Sequence, residues 1–419
     1  MRSPARMIGI IVGSFVILGL GLYAPAMLLG PLPAVSVRTD PDAAALPESA
    51  PITLPEQGAS ALVLAAADGT STPLATSGAT DVVPMGGAAK LVTLLVTLDS
   101  LPLPDAADGE GPKIKIGPAD YTNYLKYLAE DTRTLQVSPG DSWSERDVVR
   151  AILLTSSNNH ADTLARWAFG GVAPYADAAN AWLEEHGFTA THVADATGLS
   201  GENVSTASEV AALASLALAD PSLAAILENP GQASLGAHAA PDLVDRVSDD
   251  GVREMTRGYT DEAGLSLVFT TELPADGTSG DAQRVVGAML TMPDYETLDP
   301  AVEATVASAS AASAPVTVIA EGTAYAEAEA AWGETSDVIA TVSREDAPWG
   351  AELGKAEVKV EPFSTSSDSR DVGRVTVSAG DDEVSSPLRL TKAISDPGPI
   401  WRLTHPFPVI GAFIQAQGG

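Results

Sequence analysis

Two apolar runs in ASALVLAAADGTSTPLATS, residues 59–77, flank Asp68-Gly69 and predict a hairpin, since an Asp-Gly pair accepts the backbone of a tight turn. The period then changes. Leu91, Leu94, Leu95 and Leu98 recur at helical spacing behind Lys90 and predict an apolar helix headed by that lysine. SERDVVRAILLTSSNNHADTLARWAFGG, residues 144–171, reads as one helix, a polar break, and a second helix. STASEVAALASLALA opens with a capping box, Thr206 with Glu209, ahead of Val210, Leu213 and Leu216. GLSLVFTTE and RVVGAMLTMP return to strand character, so helices are inserted between strands of one sheet. This predicts an α+β domain over residues 59–298. The run AVEATVASASAASAP marks 299–314 as an Ala/Ser linker. PVTVIA, AEVKVEP and GRVTVSAG, the last followed by Asp381-Asp382, predict a small β-sandwich at 315–395. The tail at 396–419 is apolar and carries Trp401; with Trp332 it is expected to serve packing.

The N-terminus adds a location. Arg2 and Arg6 precede an uncharged stretch from Met7 to Gly30, long enough to cross a bilayer as one helix. Residues 1–30 are therefore expected to be a cytoplasmic stub and a single-pass signal anchor in the plasma membrane, with 31–58 as a Pro- and Ala-rich linker. A signal peptide with a long apolar core is the other reading, and in both the body is extracytoplasmic.

Charge and composition exclude several classes. The chain has 55 acidic against 23 basic side chains, a net charge of −32, and such a field repels nucleic acid and anionic headgroups. There is no cysteine, hence no disulfide and no thiolate chemistry. His160, His186, His192, His238 and His405 are scattered without metal-ligand spacing, so neither a metal nor a cofactor is expected.

Lys90 is the anomaly. A lysine at the start of an apolar helix either snorkels to water or is buried with its pKa depressed, where it becomes usable as a base. Ser156, Ser157 and Asn158 occupy the break between two helices, a position that presents side chains to a cleft or simply caps a helix. GVREMTRGYTDEAGLSLVF then runs a glycine-containing segment into an apolar strand.

That order resembles the S-x-x-K, S-D-N and K-T-G elements of penicillin-recognising enzymes. PMGGAAKLVTLL is similar to a P-M-A-S-x-x-K helix start, and SSNNHADTLA to S-G-N-N-x-A-D-x-L-A. ATGLSGENVSTASEVAALA, RGYTDEAGLSLV and PGPIWRLTHP extend the likeness. The chain resembles the D-alanyl-D-alanine carboxypeptidases, the low-molecular-weight penicillin-binding proteins of peptidase S11, of actinobacterial type. The resemblance implies a penicillin-binding-protein/β-lactamase-like transpeptidase fold and, as ligand, a peptidoglycan stem peptide ending in D-Ala-D-Ala.

The resemblance also assigns roles. Lys90 takes the general-base position, Ser156 that of the proton shuttle, and Asn158 that of the residue bonding the substrate amide. Thr256, Arg257 and Gly258 stand where K-T-G binds the substrate, with threonine replacing the lysine and Arg257 as the candidate replacement cation. The nucleophilic serine position is Gly87. Without an oxygen there, the covalent route cannot start, and losing such a nucleophile removes about six orders of magnitude in rate. Ser77 and Thr93 are the nearby hydroxyls, both expected to be misplaced. Two readings follow: a non-catalytic cell-wall protein that binds stem peptides or cell-wall assembly proteins, or a carboxypeptidase using a non-standard nucleophile or a Lys90-activated water.

Overall fold

The computed structural model describes residues 13–14, 16–17, 19–40, 50–104, 109–228, 234–235, 238–239, 251–273, 282–346, 349, 353–379 and 382–418. The expected cytoplasmic stub and the start of the anchor through residue 12, the linker stretch 41–49, and Asp381 lie outside these residues. The chain forms two units, residues 50–314 and residues 1–49 together with 315–419.

The unit at 50–314 is built on a five-stranded antiparallel sheet. Its order is Arg253–Thr260, Gly264–Leu273, Gln283–Met292, Ala59–Ala65 and Ser71–Gly78. The expected hairpin joins the last two strands. Asp68 Oδ1 accepts from the Thr70 amide and hydroxyl, and Gly69 takes φ +86°. Gly264–Leu273 and Gln283–Met292 are buried along nearly their whole length, the signature of strands covered on both faces. Helix Ala207–Ala219 packs on Ala59–Ala65 and Gln283–Met292, and helix Tyr295–Ala312 on Gly264–Leu273 and Gln283–Met292. Thr206 caps the former by accepting from Glu209 N, but Glu209 turns its carboxylate to Ala190 N and Thr191 Oγ1, so only half of the expected capping box forms.

Helix Ala89–Ser100 is the axis of the unit. Every residue from Ala89 to Leu98 is buried, so the helix is enclosed on all sides by Asn158–Phe169, Val172–Glu185 and Ala207–Ala219. The helix–break–helix expectation holds: Glu145–Thr155, capped by Ser144, is followed by Ser156 and Ser157 and then by Asn158–Phe169.

The expected Ala/Ser linker at 299–314 is instead the body of helix Tyr295–Ala312, capped by Asp294. Its composition is simple but its burial is periodic: Leu298, Val302, Thr305, Ala309 and Ala312 form one stripe. Alanine favours helix, and the stripe anchors it.

The second unit is rich in β-structure. A six-stranded antiparallel sheet runs in the order Ser36–Thr39, Ala324–Glu329, Thr335–Ala340, Asp382–Leu390, Asp371–Ala379, Glu357–Val360, beside a two-stranded ladder of Val316–Ile319 with Arg344–Asp346. Tyr325, Val338, Val375, Val377 and Leu388 fill its core. Ser36–Thr39 falls in the expected linker at 31–58 but is the edge strand, paired Ser36 to Glu329 through Thr39 to Ala326. Val35 and Val37 pack on the core of this unit while Ser36 and Arg38 are exposed, an alternation too short to mark a strand without its partner. The apolar tail forms helices Gly398–Thr404 and Pro406–Gly418, and Trp401 stacks edge-on to Trp332 at 5.6 Å.

The expected transmembrane helix is not supported: among the described residues no single helix is long and apolar enough to cross a membrane. Gly19–Tyr23 is a π-helical turn, and Ala24–Leu29 a short helix with Pro25 in its first turn. A proline lacks the amide needed to continue a helical ladder.

One sheet contact sets a sharp steric limit. Phe269 lies opposite Gly287, and a Cβ on Gly287 would sit 2.3 Å from its ring. Gly287→Ala should destabilise the protein by about 1–3 kcal/mol through overpacking. Adding Phe269→Leu should recover part of that loss. Denaturant unfolding of the single and double variants checks this; an unchanged midpoint for Gly287→Ala would refute it.

Candidate active-site cleft

Helix Ala89–Ser100, the Ser156–Ser157 break and strand Arg253–Thr260 converge on a cleft of about 250 Å³ lined by Gly87, Lys90, Ser156, Asn158 and Gly258. Thr197, Tyr259 and Tyr295 complete much of its wall. A hollow of about 340 Å³ elsewhere is lined by Leu218, Leu227, Arg253 and Arg284 among others, and none of the expected site residues reaches it.

Lys90 does not snorkel. It is 4% exposed, and its Nζ donates to the Thr197 carbonyl at 2.6 Å. Burial pushes its pKa down to about 7; Asp195 pulls it back up and Arg133 adds to the depression. The acceptor is itself held in place. Asp195 Oδ1 accepts from Thr197 N, Thr197 Oγ1 and Gly198 N, and its Oδ2 accepts from Ser200 N. Gly198 takes φ +81°, and any Cβ there would lie 1.9 Å from the Gly86 carbonyl oxygen. The loop therefore presses directly on the start of the lysine helix.

The two glycines before that helix differ. Gly86 adopts φ +52°, and a Cβ would lie 2.9 Å from Ser266 Oγ, so glycine is required there. Gly87 has no such constraint. Its nearest neighbours to an added Cβ are Ser156 Oγ at 3.9 Å and Lys90 Nζ at 4.0 Å, which is ordinary contact. A Cβ at this position would meet no clash beside Ser156 Oγ and Lys90 Nζ.

Ser156 caps helix Glu145–Thr155 in the left-handed region, φ 53°, a strained conformation for a non-glycine residue and one that aims it into the cleft. Asn158 is buried, and its Oδ1 has no hydrogen-bond partner, leaving an acceptor for a ligand N–H. Ser157 is occupied elsewhere, between Asn159 Oδ1 and His160 Nδ1.

The third element departs from expectation. Only Gly258 of Thr256, Arg257 and Gly258 lines the main cleft. A bulge between Glu254 and Thr256 shifts the strand register, and Thr256 faces a void of about 10 Å³ shared with Ser156. Arg257 is not available as the replacement cation. Its guanidinium pairs with Glu254 at 2.7 Å and Asp299 at 2.9 Å and lies 4.6 Å over the Tyr295 ring. Neither candidate hydroxyl reaches the base: Thr93 bonds Tyr175 and the Ala196 carbonyl, and Ser77 pairs with Ser60 in the sheet. Sequence reasoning missed Asp195, Thr197 and Arg133. Asp195 and Thr197 sat inside or beside the quoted ATGLSGEN segment, while nothing local marked Arg133.

Lys90 should govern a pH-dependent part of stability. Its folded pKa of about 7 lies below the ordinary lysine value of 10.5, so across that window the native state binds fewer protons than the unfolded chain and stability rises with pH. Relative to Lys90→Met, the native protein should gain on the order of a few kcal/mol between those limits. Unfolding curves of both forms across the window test this, and a flat difference would contradict it.

Comparison with known proteins bears on the family and the fold. The chain is 29% identical over 200 residues to a D-alanyl-D-alanine endopeptidase of Pseudomonas aeruginosa, a match covering 46% of this chain and 60% of that protein. It thus spans well under two thirds of that relative's length. Penicillin-binding protein 5 of Haemophilus influenzae matches with a TM-score of 0.54 and 17% identity, over 82% of this chain and 100% of that one. Penicillin-binding protein 6B of Escherichia coli matches with a TM-score of 0.55 and 16% identity, over 83% and 97%. At these identities the structures establish the α+β penicillin-binding-protein fold. The family model for D-alanyl-D-alanine carboxypeptidases covers residues 52–276, and the chain belongs to that family, peptidase S11.

Proposed function

We propose that this protein is a non-catalytic cell-wall member of its family. Its cleft binds peptidoglycan stem peptides ending in D-Ala-D-Ala, or a cell-wall assembly protein that presents a similar end, without forming an acyl-enzyme. The observation that carries this reading is Gly87: the helix start, the base and the hydroxyl of Ser156 are arranged around a position that holds no oxygen. Cell-wall metabolism is the family's setting. Attachment to the plasma membrane, with the body outside, rests on the uncharged stretch 7–30 behind Arg2 and Arg6.

A second reading has one observation in its favour. An amine with a pKa of about 7 is half neutral near physiological pH and suits a general base, so Lys90 could activate a water in the space beside Gly87. It predicts slow release of D-alanine from a stem-peptide mimic, abolished by Lys90→Ala.

Covalent labelling separates the readings. Incubated with a fluorescent penicillin, the full chain should stay unlabelled, since β-lactam acylation needs a nucleophile. Gly87→Ser should label, because the added Cβ meets nothing closer than 3.9 Å and the new hydroxyl would stand beside Lys90. Labelling of the native chain would show that another residue attacks and would overturn the non-catalytic assignment.

A further inference from the structure

The cleft wall changes character from floor to mouth. Lys90, Ser156 and Asn158 are 4%, 8% and 3% exposed and supply its polar groups. Leu199, Tyr259 and Tyr295 supply an apolar part of the same wall. The two tyrosines are 60% and 43% exposed, which places them at the mouth. Tyr295 lies outside all three motifs, so its place in the wall is not accounted for by them.

The two rings are held differently. Tyr259 is tied at its tip, where the hydroxyl donates to Asp261 at 3.3 Å. Tyr295 opens helix Tyr295–Ala312 directly after Asp294, which caps the helix by accepting from Thr297 N at 2.8 Å. The Arg257 guanidinium lies 4.6 Å over one face of its ring. That guanidinium is fixed in turn by Glu254 at 2.7 Å and Asp299 at 2.9 Å. Asp299 follows Tyr295 by four residues on one helix, the spacing that brings two side chains to the same face. Ring, guanidinium and carboxylate thus form one braced assembly. A ring so held loses little further freedom when a ligand meets it, which is what makes a rigid aromatic an effective anchor.

The two carboxylates account for Arg257, but not for a ring left open at the mouth of a cleft. A tyrosine serving only to shield the ion pair would cover Asp299, whose side chain is 47% exposed. The chemistry of the ring names the group it suits. One face already takes a cation, and with Leu199 in the same wall the rest of the ring offers an apolar contact.

We propose that Tyr295 is a specificity-determining residue that selects ligands bearing an aliphatic chain just before the end held in the cleft. The ligand class is a peptide with an aliphatic side chain on the residue preceding its terminal pair. This rests on the peptide-binding reading above and adds what the mouth of the cleft selects.

The test measures equilibrium binding of two pentapeptides ending in D-alanyl-D-alanine that differ only at the third residue from the end, norleucine or glycine. It uses the full chain as native protein, Tyr295→Phe and Tyr295→Ala, with thermal unfolding midpoints to confirm that the variants fold. The native protein should prefer the norleucine peptide by about 3- to 10-fold, the range of a single aromatic contact. Tyr295→Phe should keep that preference, since the ring remains. Tyr295→Ala should lose it while binding the glycine peptide as before. A preference that survives in Tyr295→Ala overturns the assignment, as does one lost equally in Tyr295→Phe or absent from the native chain; each of these leaves the peptide-binding reading standing. If the native chain binds neither peptide, that reading fails and this inference fails with it.

Discussion

Burial of the Lys90 amine is the constraint around which the cleft is organised. An ammonium stripped of water is strongly unfavourable, and two things relieve it here: a carbonyl at 2.6 Å and a pKa lowered to about 7. The carbonyl must then be held to a fraction of an ångström. Asp195 does this by gathering three backbone amides and one hydroxyl, and Gly198 lets the loop touch the Gly86 backbone where a side chain would collide. A helix at 89–100 and a loop at 195–200 are thereby locked together across more than a hundred residues of sequence.

Beside that lock lies a position with no side chain. Gly87 needs no special backbone, and the atoms nearest its missing side chain are the base and the hydroxyl of Ser156. Ser156 still holds a strained left-handed conformation, and Asn158 still buries an acceptor without a partner. Both features are unfavourable for folding alone and make sense in a site that receives a ligand.

The third motif follows a different logic. Glu254 is 1% exposed, and its carboxylate is paired with the Arg257 guanidinium, so Arg257 is held by a buried opposite charge. Its other partner, Asp299, comes from helix Tyr295–Ala312. The segment whose composition suggests a linker thus supplies Asp299 to Arg257, and the first residue of the same helix, Tyr295, lies in the cleft wall.

Much of the fold is legible in local patterns. The Asp68-Gly69 hairpin, the helices on either side of Ser156-Ser157, the Thr206 cap and the strands after residue 251 each rest on periodicity or turn chemistry within a dozen residues. Lys90, Ser156, Asn158 and Gly258 were legible too, because motif spacing records which residues must meet. The short edge strand Ser36–Thr39, the helix in the Ala/Ser run, the direction of Arg257 and the exposure of Arg133 to the cleft were not. Each depends on a partner distant in sequence: a ladder at 326–329, a sheet face, Asp299, and the Asn158 amide. By itself the sequence determined the elements and the chemistry they carry, since those follow from side chains and near neighbours. Where the Arg257 guanidinium goes was decided only by the tertiary structure, because a long charged side chain goes where a buried opposite charge most needs it.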